Sequence, residues 1–223
     1  GAALLNGLLI APGEEFSVLD HLRPFTLENG YLPELVIKAS EGRTTPEIGG
    51  GLCQIGTTMF RAVLDAGLPV TERRNHSYRV SYYEPPVGMD ATIYDPAPDF
   101  KFLNNTGNWL LLMTSISGTN LTFDLWGTKD GRTAISSTPE ISNFKQPPAK
   151  KIIETLTLPP GKIKCTEKAH IGSDARFTYT VTYADGRIEE KEFFSRYRPW
   201  QEVCLLGVAE LTPAPVETPP EPQ

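Results

Sequence analysis

Three residue types that cooperate in nucleophilic catalysis occur in order along the chain: Cys53, His76 and Asp90. A cysteine becomes a strong nucleophile when its thiolate is stabilised, and a histidine serves as its base when an acid orients the imidazole. Cys53 is predicted at the start of a helix, where free backbone N–H groups favour a thiolate. We interpret the three as candidate nucleophile, base and orienting acid, with the Cys53 N–H, Gln54 and Gly51 supporting an oxyanion. Their order, on a helix start and two successive strands, is typical of papain-like and transglutaminase-like sites.

The same residues also have a purely structural interpretation. Cys53 would then fill a small apolar space, His76 would bond the backbone where a strand begins, and Asp90 would cap a turn. Asp95 is an alternative third member, because it follows Asp90 closely along the chain. One cysteine and one histidine without paired ligand spacing do not resemble a zinc motif. No metal and no cofactor is therefore predicted.

The helix that carries this cysteine is predicted over residues 54–66. Apolar residues recur there at helical spacing, Gly67 follows as a stop, and the glycines at 49–51 allow a sharp turn before it. Residues 2–10 are predicted to contain the end of another helix. Turn residues then separate short apolar runs that predict an antiparallel meander with strands at 70–73, 78–83, 91–94, 101–103, 109–115 and 121–126. The fold class is therefore α+β.

The second part of the chain predicts a small all-β module over residues 153–209. Apolar and polar residues alternate over 177–183, and Asp185-Gly186 then turns the chain into a second strand at 187–195, with further strands at 162–170 and 201–208. Cys165 and Cys204 lie on the first and last of these strands, and a disulfide between them is the natural pairing in so small a module. The alternative is two buried free thiols. Residues 131–152 are predicted to be a linker and residues 210–223 a proline-rich tail.

Composition limits the classes of function. The 223 residues are 39% hydrophobic and 22% charged, which is enough to form a core and excludes a wholly disordered chain. The 27 acidic side chains exceed the 21 basic ones, for a net charge of −6, so a nucleic-acid or anionic-membrane surface is not expected. The sequence starts without an initiator methionine or a signal pattern, so an upstream signal or membrane anchor is expected to be missing. A disulfide would locate the protein outside the cytoplasm.

Several stretches resemble the VanW family, which is named for an accessory protein of a glycopeptide-resistance cluster. The Gly-Gly-Gly-Leu-Cys-Gln block at 49–54 is the most specific, and the others lie at 12–17, 76–82, 88–93, 99–105 and 126–128. Gly56 departs from the pattern, because the family favours serine there. The resemblance covers most of residues 1–130 and implies an extracytoplasmic cell-envelope protein, on the cell surface or secreted. The second part is similar to small extracellular β modules of cell-wall proteins, including the G-five type.

Three functions follow as hypotheses. The first is a thiol-dependent hydrolase or transpeptidase that acts on peptidoglycan peptides or envelope proteins through Cys53, His76 and Asp90. The second is a peptidoglycan- or peptide-binding module without chemistry, with aromatic platforms at Tyr78, Tyr82, Tyr83 and Trp109. The third is a structural unit of a surface assembly. The expected partner is peptidoglycan, or an envelope peptide or protein, and not a nucleic acid.

Overall fold

The computed structural model describes residues 1–38, 43–49 and 51–212, and the side chains of 34–46 are not described. Gly50 in the predicted glycine turn and residues 213–223 in the predicted proline-rich tail lie outside the described residues. The described chain is mostly β-strand with a small helical part. Its helices are α1 (Ala2–Leu5), α2 (Val18–Leu22) and α3 (Leu52–Asp65). The expected mixture of helix and antiparallel sheet is therefore present, with strand predominant.

The first part contains two three-stranded sheets and a hairpin, all antiparallel. One sheet has the order β1 (Leu8–Ile10), β7 (Leu110–Ser117), β8 (Asn120–Trp126). The other has the order β2 (Glu15–Ser17), β6 (Lys101–Leu103), β5 (Val70–Glu72). The hairpin pairs β3 (Pro33–Lys38) with β4 (Arg43–Ile48) and was not predicted. The predicted strands near 70, 101, 109 and 121 are thus confirmed.

The second part forms two sheets instead of the single four-stranded module predicted. The hairpin of β13 (Gly172–Thr182) and β14 (Ile188–Tyr197) also pairs with β9 (Thr133–Ser136) and β10 (Glu140–Lys145) along β13. The other sheet has the order β11 (Lys151–Thr155), β15 (Val203–Gly207), β12 (Ile163–Glu167). Residues predicted as a linker, 131–152, therefore carry β9 and β10, because the edge of the long β13 strand that β14 does not occupy supplies their backbone partners. The division of the chain into domains stays a prediction.

Two predicted strands that bear on the site are absent. Residues 78–83 form a loop ending in a 3₁₀ turn (Ser81–Tyr83), and residues 91–94 are irregular. Prolines follow both segments and have no N–H to donate to a ladder. The N–H of Ala91 donates to the Thr57 hydroxyl at 3.0 Å and its carbonyl accepts from that hydroxyl at 3.1 Å, which occupies the groups a strand would use. His76 and Asp90 therefore lie on loops, and a transglutaminase-like strand layout is not seen.

Helix α3 begins at Leu52, and Gly67, with a φ of +73°, follows its C-terminal end as predicted. Its apolar face contributes Met59, Phe60 and Val63 to the core. The Phe60 ring centroid lies 5.3 Å from that of Phe193 in β14, so the two parts of the chain share one apolar core.

Candidate active site

Cys53 is the second residue of α3 and is half-buried. Gly51 caps the helix with a φ of +83°, a left-handed conformation that a glycine adopts without strain. The Sγ atom lies 3.6 Å from the carbonyl oxygen of Ile93. Because the first N–H groups of a helix have no partner within it, the backbone of Cys53 and Gln54 offers donors beside the sulfur. The structure thus places the cysteine where the sequence predicts it.

His76 and Asp90 are in direct contact. The Nδ1 atom of the imidazole lies 2.7 Å from Oδ2 of the carboxylate, and the backbone N–H of His76 donates to the same oxygen at 2.7 Å. Both side chains are buried. On its other side the imidazole interacts electrostatically with the Cys53 side chain. The structure therefore brings Cys53, His76 and Asp90 together.

The second carboxylate oxygen of Asp90 is also occupied. The hydroxyl of Tyr197 donates to Oδ1, and the buried guanidinium of Arg73 lies 3.4 Å from the same atom. Arg73 also donates through Nε to the backbone carbonyl of Asp90 at 2.7 Å, and through Nη2 to that of Gly88 at 2.7 Å. These contacts hold both the carboxylate and its loop in one position.

The charges in this cluster depend on each other. Burial raises the pKa of Asp90, but the hydrogen bond from His76 and the charge of Arg73 outweigh burial, so that the pKa is lowered overall. Burial would lower the pKa of His76, yet its interactions with Asp90 and Cys53 prevail and raise it to about 9. At neutral pH the cluster thus holds a carboxylate and an imidazolium.

Thr57 fixes α3 against the loop that carries Asp90. Thr57 bonds both backbone groups of Ala91, directly after Asp90. One residue earlier, Gly56 allows the helix to approach Ile93, since a Cβ at this glycine would lie 2.7 Å from Ile93 Cδ1. The departure from serine at this position thus coincides with a close packing contact behind Cys53.

The other predicted site residues lie in different surroundings. Asp95 is exposed and pairs with Arg23 at 2.6 Å, so the structure brings Asp90 and not Asp95 to the histidine. Tyr83 is buried, with its ring centroid 5.3 Å from that of His76, whereas Tyr82 is 78% exposed. The Tyr78 ring is stacked on His170 with centroids 4.5 Å apart.

Trp109 is exposed and is not among the described residues that line the cavity next to the cysteine. That cavity has a volume of about 1600 Å³ and opens onto Cys53, Gln54 and His76, with Tyr78 and Tyr82 along its wall. A cavity of this size admits an extended peptide or a glycan.

Two residues of the site were missed by the sequence reasoning. Tyr197 belongs to β14, in the part of the chain predicted as a separate module, and no local pattern connects it to Asp90. Arg73 falls at the end of a predicted strand, which gives it no role in the site. The sequence indicates its role only weakly, because Arg73 is a basic residue three positions before the candidate base, His76.

Cys165 and Cys204 form the predicted disulfide and are paired directly across β12 and β15. Among the described residues, the one group with metal-ligand proximity consists of these two cysteines and Glu202. Because both sulfurs are engaged in the disulfide, the group offers a single carboxylate, which is paired with Lys150 at 3.2 Å, and not a thiolate site.

Comparisons with known proteins support the family resemblance that the glycine-cysteine block indicates. No helix among the described residues is long and apolar enough to cross a membrane. The sequence matches the family model described as VanW like protein over residues 1–126. The Bacillus subtilis protein YoaR is 31% identical over 125 residues, which are 56% of this chain and 40% of YoaR. The vancomycin B-type resistance protein VanW of Enterococcus faecalis is 31% identical over 152 residues, or 66% of this chain and 48% of that protein.

The chain thus spans less than half the length of these two curated relatives. The family match, in contrast, covers more than half of the chain's 223 residues and includes Cys53, His76 and Asp90. The chain belongs to the VanW family.

Proposed function

We propose that this chain carries a thiol-dependent acyl-transfer site, in which Cys53 is the nucleophile, His76 the general acid and base, and Asp90 the residue that orients the imidazole. The observation that carries the proposal is the buried pair of His76 and Asp90, with 2.7 Å between Nδ1 and Oδ2, whose imidazole also interacts electrostatically with the Cys53 side chain. Cys53 in turn lines the cavity. A buried structural cysteine would need neither the opening nor the charged partners.

In the proposed mechanism the reactive form of Cys53 is a thiolate beside the His76 imidazolium. Arg73 and His76 both contact the Asp90 carboxylate, which holds the imidazole in place.

The reaction has two halves. The Cys53 thiolate attacks the carbonyl carbon of an amide, forming an S–C bond, while the carbonyl electron pair moves onto oxygen. As the intermediate collapses, the C–N bond breaks and His76 gives its proton to the departing amine. Water or a second amine then attacks the thioester, loses a proton to His76 and releases the thiolate. The result is hydrolysis with water and transpeptidation with an amine.

The oxyanion of each tetrahedral intermediate needs donors close to the nucleophile. In the proposal the backbone N–H groups of Cys53 and Gln54, in the first turn of α3, supply them. Gly51 contributes by adopting the left-handed conformation, with a φ of +83°, from which the helix begins.

The substrates we propose are peptides of the cell envelope, from peptidoglycan or from envelope proteins. The disulfide between Cys165 and Cys204 supports a site of action outside the cytoplasm. The name of the Enterococcus faecalis relative, a vancomycin B-type resistance protein, is consistent with a role at the cell wall.

A second candidate function is binding without chemistry. The exposed Tyr82 and the half-buried Tyr78 on the cavity wall favour it, since aromatic faces bind sugars and peptides. In that case the cysteine would be dispensable for affinity.

The experiment that tests the enzyme proposal is alkylation of Cys53 by iodoacetamide at pH 7, followed by intact mass. With Cys165 and Cys204 in a disulfide, Cys53 is the one free thiol of the chain, so the site of labelling is unambiguous. We expect labelling faster than that of a free cysteine, its loss in Cys53→Ala, and strong slowing in His76→Gln. Peptidoglycan peptides incubated with wild type should be cleaved or joined, and Cys53→Ala should abolish this turnover.

Asp95→Asn is the matched control, because Asp95 is an acid on the same cavity whose partner is Arg23. A wild-type thiol no more reactive than free cysteine, or turnover that survives Cys53→Ala, would refute the proposal. Retention of peptidoglycan by Cys53→Ala in the absence of any turnover would favour the binding function.

A further inference from the structure

The strand β14 presents alternate residues to the site and to the cavity. Tyr197 points inward and is 4% exposed, with its hydroxyl on Asp90. Arg196 before it and Arg198 after it are exposed and line the cavity. This follows from the two-residue period of an extended chain, in which neighbours of an inward side chain point outward. The second part of the chain thus forms a basic wall of the cavity that opens onto Cys53.

A further basic side chain approaches from the loop that carries His76. Arg74 lies two residues before the histidine, is exposed, and lines the same cavity. Its carbonyl accepts from the N–H of Thr92 at 2.7 Å, next to the residue whose carbonyl contacts the Cys53 sulfur. The backbone N–H of Arg198 donates to the carbonyl of Ser77 at 2.7 Å. Arg74 and Arg198 therefore flank the backbone around His76.

Most charged side chains of the cavity already have partners. Arg79 forms two hydrogen bonds with Glu84, and Arg196 lies 3.1 Å from Asp174. The two acids of the cavity are also engaged: Asp95 pairs with Arg23, and Glu47 accepts from the Tyr94 hydroxyl at 3.0 Å.

Arg74 and Arg198 differ in this respect. In the described part of the chain neither guanidinium forms an ion pair. The charge of Arg74 does act on Glu72, but the Glu72 carboxylate is bonded to Lys101 at 3.1 Å. Two cations outside any ion pair in one cavity are unexpected in a protein of net charge −6. Guanidinium groups bind carboxylates with paired, charge-assisted hydrogen bonds.

We propose that Arg74 and Arg198 bind a carboxylate of the substrate, so that the site acts on acyl compounds that carry a carboxylate close to the carbonyl attacked by Cys53. This inference rests on the proposed function, since it names the substrate class of the same site. The two arginines are specificity-determining residues, and they take no part in the bond changes.

The test compares two alkylating agents of similar size that differ in charge. Iodoacetamide is neutral and iodoacetate carries a carboxylate, and both alkylate Cys53. The measured quantity is the ratio of their rate constants, iodoacetate over iodoacetamide, at pH 7 and low salt. In wild type this ratio should exceed that of free cysteine and should fall as salt is added. In the double variant Arg74→Gln/Arg198→Gln it should fall by roughly three- to tenfold, as expected for the loss of two nearby cations at intermediate dielectric.

The matched control is Arg176→Gln/Arg187→Gln, which removes two exposed arginines of the β13–β14 hairpin that do not line the cavity. Its net charge equals that of the test variant, so a general charge effect would lower both ratios equally. The iodoacetamide rate of each variant is the internal check that the site remains folded. The double variant Arg74→Lys/Arg198→Lys should keep most of the preference.

The outcomes separate this inference from the proposed function. A wild-type thiol that reacts rapidly with iodoacetamide, but whose ratio is the same in the test and control variants, overturns the carboxylate assignment alone. A wild-type thiol that is unreactive toward both reagents overturns the proposed function, and the assignment with it. A ratio that falls only in the cavity variant supports the assignment.

Discussion

Tyr197→Phe is the perturbation that most directly tests how the site is built, because it deletes one hydroxyl and leaves the ring. That hydroxyl donates to Oδ1 of Asp90, and both residues are buried. Burial and the charge of Asp90 raise the pKa of Tyr197, so the phenol stays protonated and remains a donor at all ordinary pH values.

The magnitude follows from the type of bond lost. A hydrogen bond to a charged group contributes about 1.5–3 kcal/mol, and here its loss leaves the buried carboxylate one donor short. For a chain of this size, 1 kcal/mol corresponds to about 2–4 °C in Tm, so we expect a decrease of about 6 °C. Tyr179→Phe is the matched control in β13, since its hydroxyl donates to the neutral carbonyl of Leu68 at 3.3 Å. Its cost should be smaller, about 0.5–1.5 kcal/mol.

The assay is thermal and urea unfolding of wild type and both variants, together with NMR titration of the His76 imidazole. Without the phenol, the negative charge of Asp90 is less shared, so the pKa of His76 should move upward in Tyr197→Phe. Tyr179 does not contact Asp90, so Tyr179→Phe should leave that pKa unchanged. If Tyr197→Phe is as stable as wild type and leaves the His76 titration unchanged, the reasoning that β14 holds the carboxylate is wrong.

Three further outcomes are expected. The pKa of His76 is raised to about 9 in the folded protein against about 6.5 unfolded, so its contribution to stability is complete below pH 6.5 and is lost as pH rises to 9. NMR titration of the imidazole should place its midpoint near 9, and a midpoint near 6.5 would contradict the bond to Asp90. Thr57→Val should cost about 2–4 kcal/mol in urea unfolding, since both backbone groups of Ala91 lose their partner; an unchanged midpoint would contradict this. Reducing the disulfide between Cys165 and Cys204 should cost about 4 kcal/mol on the chain-entropy estimate, seen as a lower Tm in reductant, and the same loss should appear in Cys165→Ala/Cys204→Ala without reductant.

Local patterns predicted the parts of the molecule that local physics determines. Helix α3 was predictable because its apolar residues repeat at helical spacing and Gly67 ends it. The disulfide was predictable because Cys165 and Cys204 lie on the outer strands of a small module. The contact of His76 with Asp90 was predicted only from the order of residue types, which carries no geometry.

The remaining features depend on contacts between distant residues. Residues 91–94 have the composition of a strand, but Thr57 of α3 takes the backbone bonds of Ala91 that a strand would use. Tyr197 reaches Asp90 across 107 positions of sequence, and a pattern read along one strand does not show which loop the strand will face. The segment that forms β9 and β10 has little periodicity of its own. It becomes two strands because its backbone pairs with the edge of β13 that β14 leaves open.

The shared core affects the choice of fragment for recombinant expression of this chain. The stretch recognised by the family model, residues 1–126, ends before Phe193, which packs on Phe60, and before Tyr197, which holds Asp90. A recombinant fragment trimmed to that boundary would expose an aromatic patch to water and leave the carboxylate without its phenol. The stretch that the family model matches is therefore shorter than the unit that holds the proposed site together. A fragment trimmed to the family boundary is expected to fail in tests of the proposed activity even if the longer chain passes them.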